Sequence, residues 1–145
     1  MSRSQLALVA KWESEKEEKA VQLFQQAQSY VLENEQKLVG LQQYRMDYFR
    51  KIQQLGSGGL KAMSLTHHQA FISKLDKACE QQQQLINNAK QAANQRKMQW
   101  LAQQRKRKAV ELLIDKQQRA LQKKLDREEQ NLMDEVATQR FVRNR

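Results

Sequence analysis

No proline interrupts this chain of 145 residues, and only four glycines do. The missing proline removes the strongest helix breaker and argues against a disordered chain. A single cysteine, Cys79, excludes a disulfide framework within the chain and fits a reducing cytoplasm. Apolar residues make up 39% and aromatics 6%. That is too little for a thick core, yet enough for a seam between long helices, where about two positions in seven are apolar. The N-terminal apolar run is only about five residues, too short for a signal segment. No stretch approaches the ~18 consecutive apolar residues of a membrane span. The expectation is a soluble cytoplasmic protein.

What is present is a long helical pattern. Positions seven apart from Phe24 are Phe24, Val31, Leu38, Arg45 and Ile52; the alternate positions are Ala27, Asn34, Leu41, Tyr48 and Leu55. Eight of these ten are apolar, a heptad stripe interrupted by Asn34 and Arg45. Leu6 and Ala10 continue the phase upstream. A second stripe runs through Ile72, Cys79, Ile86, Ala93 and Trp100, joined by Leu75 and Ala89. It resumes at Val110, Ile114 and Leu121, then drifts through Leu125, Leu132 and Val136. Such drift marks a stutter or a helix no longer held to a fixed partner.

Three of the four glycines lie in "QQLGSGGLKAMSLTHHQAF", residues 53–71. Gly56 stands where a left-handed helix cap belongs, and Ser57, Gly58 and Gly59 let the chain reverse. Thr66 with Gln69 matches a capping box. The spacing "LGSGGLK" is not that of a phosphate loop and follows no strand. The predicted fold is all-α: one domain over 1–145, a long antiparallel two-helix coiled-coil hairpin. Helix one covers about 3–55, the turn 56–65, and a longer helix two about 66–140.

Pairing Leu55 with Thr66 across the joint sets a register in which facing residue numbers sum to roughly 121. Charge tests it. Between Gln81 and Val110 there are seven bases and no acid, including Arg105, Lys106, Arg107 and Lys108. In this register they face Glu13, Glu15, Glu17 and Glu18. Each exposed pair contributes only about 0.2–1 kcal/mol, so the match sets register more than stability. It also gives part of the +10 net charge an internal partner. A basic coiled coil that binds nucleic acid is the alternative reading of that charge, though no aromatics other than Trp100 interleave the arginines. Helix two outruns helix one by roughly 30 Å at ~1.5 Å per residue. That overhang carries Leu121, Leu125, Leu132, Met133, Val136 and Phe141.

Beside the seam lies a second line, Phe71, Leu75, Ala78 and Gln82. Phe71 and Ala78 sit about 100° around the helix from Ile72 and Cys79. They either pack on the shoulder of helix one near Tyr48 or form a docking patch. His67 and His68 are adjacent and have no metal-ligand spacing. No catalytic constellation, cofactor, metal or small-molecule substrate is expected of two helices without a pocket.

Several groups together resemble a known family. "QYRMDYFRKI" carries Tyr44, Tyr48 and Arg50; "FISKLDKACEQ" carries Phe71, Ile72, Leu75, Ala78 and Gln81; "NLMDEVATQRF" carries Met133, Asp134, Glu135, Ala137 and Arg140. In order, length and glycine joint the chain resembles the FliJ family of bacterial flagellar type III export. The resemblance implies a coiled coil similar to the central stalk, or gamma subunit, of rotary ATPases, without enzymatic activity. It implies a protein at the cytoplasmic face of the membrane at the flagellar base. There it would bind the ring of the export ATPase FliI and promote its assembly. It would also connect that ring to the export gate protein FlhA and serve export chaperones, touching the membrane only through the gate. Carried over, the gate-contact patch falls on Phe71, Leu75, Ala78 and Gln82. The ATPase-facing tip falls on Leu125, Leu132, Met133, Asp134, Glu135 and Val136.

Overall fold

The computed structural model describes residues 2–56 and 62–144. Two helices account for nearly all of them: α1, Arg3–Gly56, of 54 residues, and α2, Ala62–Arg143, of 82 residues. The fold is the expected all-α pair, the second helix the longer, and no strand occurs among the described residues. Contacts divide into two units, Lys19–Trp100 and Met1–Glu18 with Leu101–Arg145.

The heptad stripe of α1 is the buried face. From Leu6 through Ala10, Glu13, Glu17 and Ala20 to Ile52, every position in phase is buried or half-buried. Leu55 is the exception. It was expected in the seam and is 53% exposed, because α1 ends one residue later and leaves it at a helix terminus. Gly56 ends α1 without entering the left-handed region, so the expected left-handed cap is not made there. The expected start of helix two also moves. Thr66 lies inside α2, which begins four residues earlier at Ala62. The reversal expected at Ser57, Gly58 and Gly59 lies outside the described residues.

In the unit Lys19–Trp100 the helices pack antiparallel. Tyr48 meets His68, Arg45 pairs with Asp76, Gln82 bonds Asn34, and Phe24 stacks on Trp100 at 5.7 Å between centroids. The facing residue numbers sum to between 116 and 124, around the 121 expected from the joint. Small residues allow close approach: Val31 packs with Ala89 and Ala93, and Ala27 borders them. Ile86, 1% exposed, is the most buried large side chain. Arg96 falls in phase after Ala89 but turns out to solvent, where its guanidinium donates to Gln99 Oε1 at 3.2 Å.

In the unit that joins Met1–Glu18 to Leu101–Arg145 the packing is again antiparallel but more polar. Gln103 bonds Glu13, Arg107 pairs with Glu17, and Leu6 lies beside Val110 and Leu113. Arg3 and Ala7 border Ile114, Gln118 and Leu121. Beyond Leu121 all described residues of α2 are exposed. The drift expected there is regular on inspection. Val110, Leu121 and Leu132 are eleven apart, as are Ile114, Leu125 and Val136. An eleven-residue period, about 3.67 residues per turn, keeps an apolar stripe almost parallel to the helix axis.

Candidate interaction surfaces

The polar seam of the first unit is built around Asn34, which is 3% exposed. Its Nδ2 donates to the Tyr30 carbonyl at 2.8 Å. Its Oδ1 and its own carbonyl both accept from Gln82 Nε2 at 2.9 Å. The buried Asn34 of α1 is thereby held by the half-buried Gln82 of α2, which ties α1 to α2 at one register. Gln82 therefore faces α1. Leu75 does so as well, being buried.

Phe71 and Ala78, on the adjacent flank, are half-buried. Phe71 meets Tyr48 with centroids 4.7 Å apart and Tyr44 edge-on at 6.4 Å. The shoulder packing near Tyr48 weighed from sequence is thus present. Tyr44 remains 53% exposed beside it, and the aromatic flank is open to solvent on that side. His68, read from sequence as a polar first-turn residue, is half-buried and shares a hydrogen bond with the Tyr48 hydroxyl. The signal was available: His68 lies seven residues before Leu75, in seam phase.

The acidic and basic clusters do meet, more narrowly than their numbers suggested. Of the four bases Arg105–Lys108, Arg107 makes the cross-helix ion pair, to Glu17, and it also reaches Glu111 at 2.8 Å on its own helix. The Glu17 and Glu111 hydrogen bonds raise the Arg107 pKa above its ordinary value. Glu13 accepts from the Gln103 amide, and this bond, aided by Lys16 and Lys106, holds its carboxyl below the usual range. Glu15, Glu18, Arg105, Lys106 and Lys108 stay exposed because they lie off the seam.

Leu125, Leu132, Met133, Asp134, Glu135 and Val136 sit together on the exposed end of α2, Leu132 at 62% and Met133 at 61%. Leu125, Leu132 and Val136 share its apolar stripe, whereas Asp134 lies on the opposite face. Among the described residues no cluster of His, Cys, Asp and Glu is gathered for a metal ion. No described helix is long and apolar enough to cross a membrane.

These surfaces are those of a two-helix coil whose distinctive features are faces and flanks, a class suited to holding other proteins. The profile of the flagellar FliJ protein family matches residues 1–145, the full length, and the chain belongs to that family. It is thereby a component of flagellar biogenesis and export, in a family of non-catalytic members. No curated protein and no solved structure matches the chain.

Proposed function

We propose that this chain is the stalk-like connector of the flagellar export apparatus. It binds the ring of the export ATPase FliI, promotes ring assembly, and links the ring to the gate protein FlhA at the cytoplasmic face of the membrane. It also serves the handling of export chaperones. The observation that carries the reading is the end of α2, where Leu125, Leu132, Met133 and Val136 keep apolar side chains exposed over about three turns. Phe71 and Ala78, half-exposed beside Tyr44, supply a second apolar surface for the gate, with Leu75 and Gln82 fixing them from the seam side.

The test is capture of purified FliI and FlhA by the purified chain. Removing residues 122–145 is expected to abolish stimulation of ring assembly while leaving FlhA binding intact. Phe71→Ala combined with Ala78→Glu is expected to weaken FlhA binding and motility at unchanged helicity. Full ring stimulation by the truncated chain, or undiminished gate binding by the double variant, would sink the respective assignment. A gel shift in physiological salt addresses the nucleic-acid reading, which requires steeply salt-dependent binding.

A further inference from the structure

The side of α2 that faces away from α1 carries a line of its own. Arg105, Lys116 and Arg127 are eleven apart, and so are Lys108 and Arg119; Lys123 falls between them. At about 100° per residue these six bases lie within an arc of about 100°, opposite Val110, Ile114, Leu121 and Leu125. The period that keeps the apolar stripe parallel to the helix axis keeps the bases parallel to it as well. Their line runs for about 33 Å at ~1.5 Å per residue. All six side chains are exposed and none of them makes an ion pair. Arg107 differs: it faces α1 and is held by Glu17 and Glu111. Asp115 and Asp126, also eleven apart, border one edge of the line, and Asp134 closes it beyond Arg127.

The length and straightness of this line narrow the choice of partner. Duplex nucleic acid carries its backbone once around in about 34 Å, so a straight row of charge this long crosses grooves as well as phosphates. No aromatic side chain stands between Arg105 and Arg127 to stack on a single strand. A flat sheet of anionic headgroups meets all six bases at once. Leu112 lies in the middle of the row, between Lys108 and Lys116, and is 67% exposed. A leucine so placed sinks to the boundary of headgroups and acyl chains while the bases stay at headgroup level. The exposed acids of α1, Glu15 and Glu18, do not oppose the contact. In this unit α1 packs on the other side of α2, with axes about 8–10 Å apart, and the Debye length at physiological salt is about 8 Å.

We propose that the outer face of α2 from Arg105 to Arg127 lies along an anionic membrane surface, its six bases on the headgroups and Leu112 between them. The contact is peripheral and reversible. Each base near such a surface strengthens it about fivefold, and salt weakens it steeply. The apolar stripe proposed above to receive the ATPase points the opposite way and stays uncovered. The membrane contact does not rest on that reading, and the purified chain with lipid alone tests it.

The experiment is co-sedimentation of the full chain with vesicles of phosphatidylcholine containing about 30% phosphatidylglycerol, at about 0.15 M salt. Binding is expected there, with none to phosphatidylcholine alone and little at about 0.5 M salt. Lys108→Gln with Lys116→Gln and Lys123→Gln is expected to weaken it about a hundredfold, at about fivefold per base. Lys11→Gln with Lys37→Gln and Lys51→Gln removes equal charge from exposed positions of α1 and is expected to weaken it no more than about threefold. On a Cys79→Ala background, an environment-sensitive dye at Leu112→Cys is expected to shift to the blue on vesicles, and one at Leu125→Cys to stay unchanged. Equal binding to neutral vesicles, equal loss in the two triple variants, or a shift at position 125 instead of 112 would overturn the proposal. So would release of the chain from vesicles by duplex DNA at equal phosphate concentration, which assigns the row of bases to nucleic acid. A chain that ignores anionic vesicles yet captures FliI refutes the membrane contact and leaves the proposed function standing.

Discussion

The buried amide layer offers the sharpest test of how this pair of helices holds its register. Gln82 Nε2 donates to Asn34 Oδ1 and to the Asn34 carbonyl, each at 2.9 Å, and Asn34 is all but sealed from water. Replacing Gln82 alone by Leu leaves Asn34 Oδ1 without its partner. A buried unsatisfied acceptor costs about 1–3 kcal/mol, against about 1 kcal/mol gained from partial burial of the new side chain. Gln82→Leu is therefore expected to destabilise by about 0–2 kcal/mol. Replacing both by Leu removes the acceptor and the donor together and fills the layer with hydrocarbon. That double variant is expected to exceed the parent in stability by about 1–2 kcal/mol. The two substitutions are then strongly non-additive. Urea denaturation followed by circular dichroism measures all three free energies. The gain in stability is expected to come with a loss of uniqueness, since a seam of interchangeable apolar layers permits a seven-residue slip. Fluorescence transfer between labels at positions 15 and 106 reads that slip as a broadened distribution. A double variant less stable than Gln82→Leu, or one as sharply registered as the parent, would refute the assignment of register to this layer.

Three further outcomes follow from the packing. Ile86→Ala is expected to cost about 2–4 kcal/mol by denaturation, because Ile86 is the most buried large side chain among the described residues. Gly40→Ala is expected to stabilise by about 0.5–1 kcal/mol, since a methyl there meets nothing within 4 Å and glycine weakens a helix interior. Glu13 has its pKa depressed chiefly by the Gln103 hydrogen bond, so its contribution is present above the unfolded carboxyl pKa and is lost as pH falls through the folded value. The fall in melting temperature between about pH 6 and pH 3 is accordingly expected to be smaller in Glu13→Gln than in the parent.

Much of this was legible in the sequence because a coiled seam repeats. Phe24, Val31, Leu38 and Ile72, Cys79, Ile86 each appear at fixed intervals, so periodicity alone located the faces that meet. The register was legible as well, since a hairpin leaves one free parameter and the glycine joint set it. The helix ends were not. Ala62 starts α2 ahead of Thr66 because a local capping signal is easily overridden when good helix formers precede it. Nor could spacing alone tell what Gln82 does. Its place on the line with Phe71 and Ala78 suggested an outward surface, whereas its amide turns inward to Asn34. A side chain at a seam edge has two directions open to it, and a hydrogen-bond partner on the other helix decides between them. Likewise His68 declared itself only once Tyr48 was found opposite.

The change in seam chemistry along α1 has a consequence for motion. Beyond Lys19 the interface holds Val31, Leu75, Ile86, Ala89 and Ala93 buried; before it, Leu6 is the one buried apolar residue among those described, and Glu13, Glu17, Gln103 and Arg107 make the polar contacts. Residues 3–18 therefore form the part of α1 that opens at least cost, and their amides are expected to exchange with solvent well ahead of those near Val31. Each opening uncovers Val110 and Ile114, the next members of the eleven-residue stripe. The length of hydrocarbon that α2 presents is then not fixed by the sequence alone. It lengthens and shortens with the breathing of a polar zipper, and acid that protonates Glu13, or salt that screens the Arg107–Glu17 pair, sets how often.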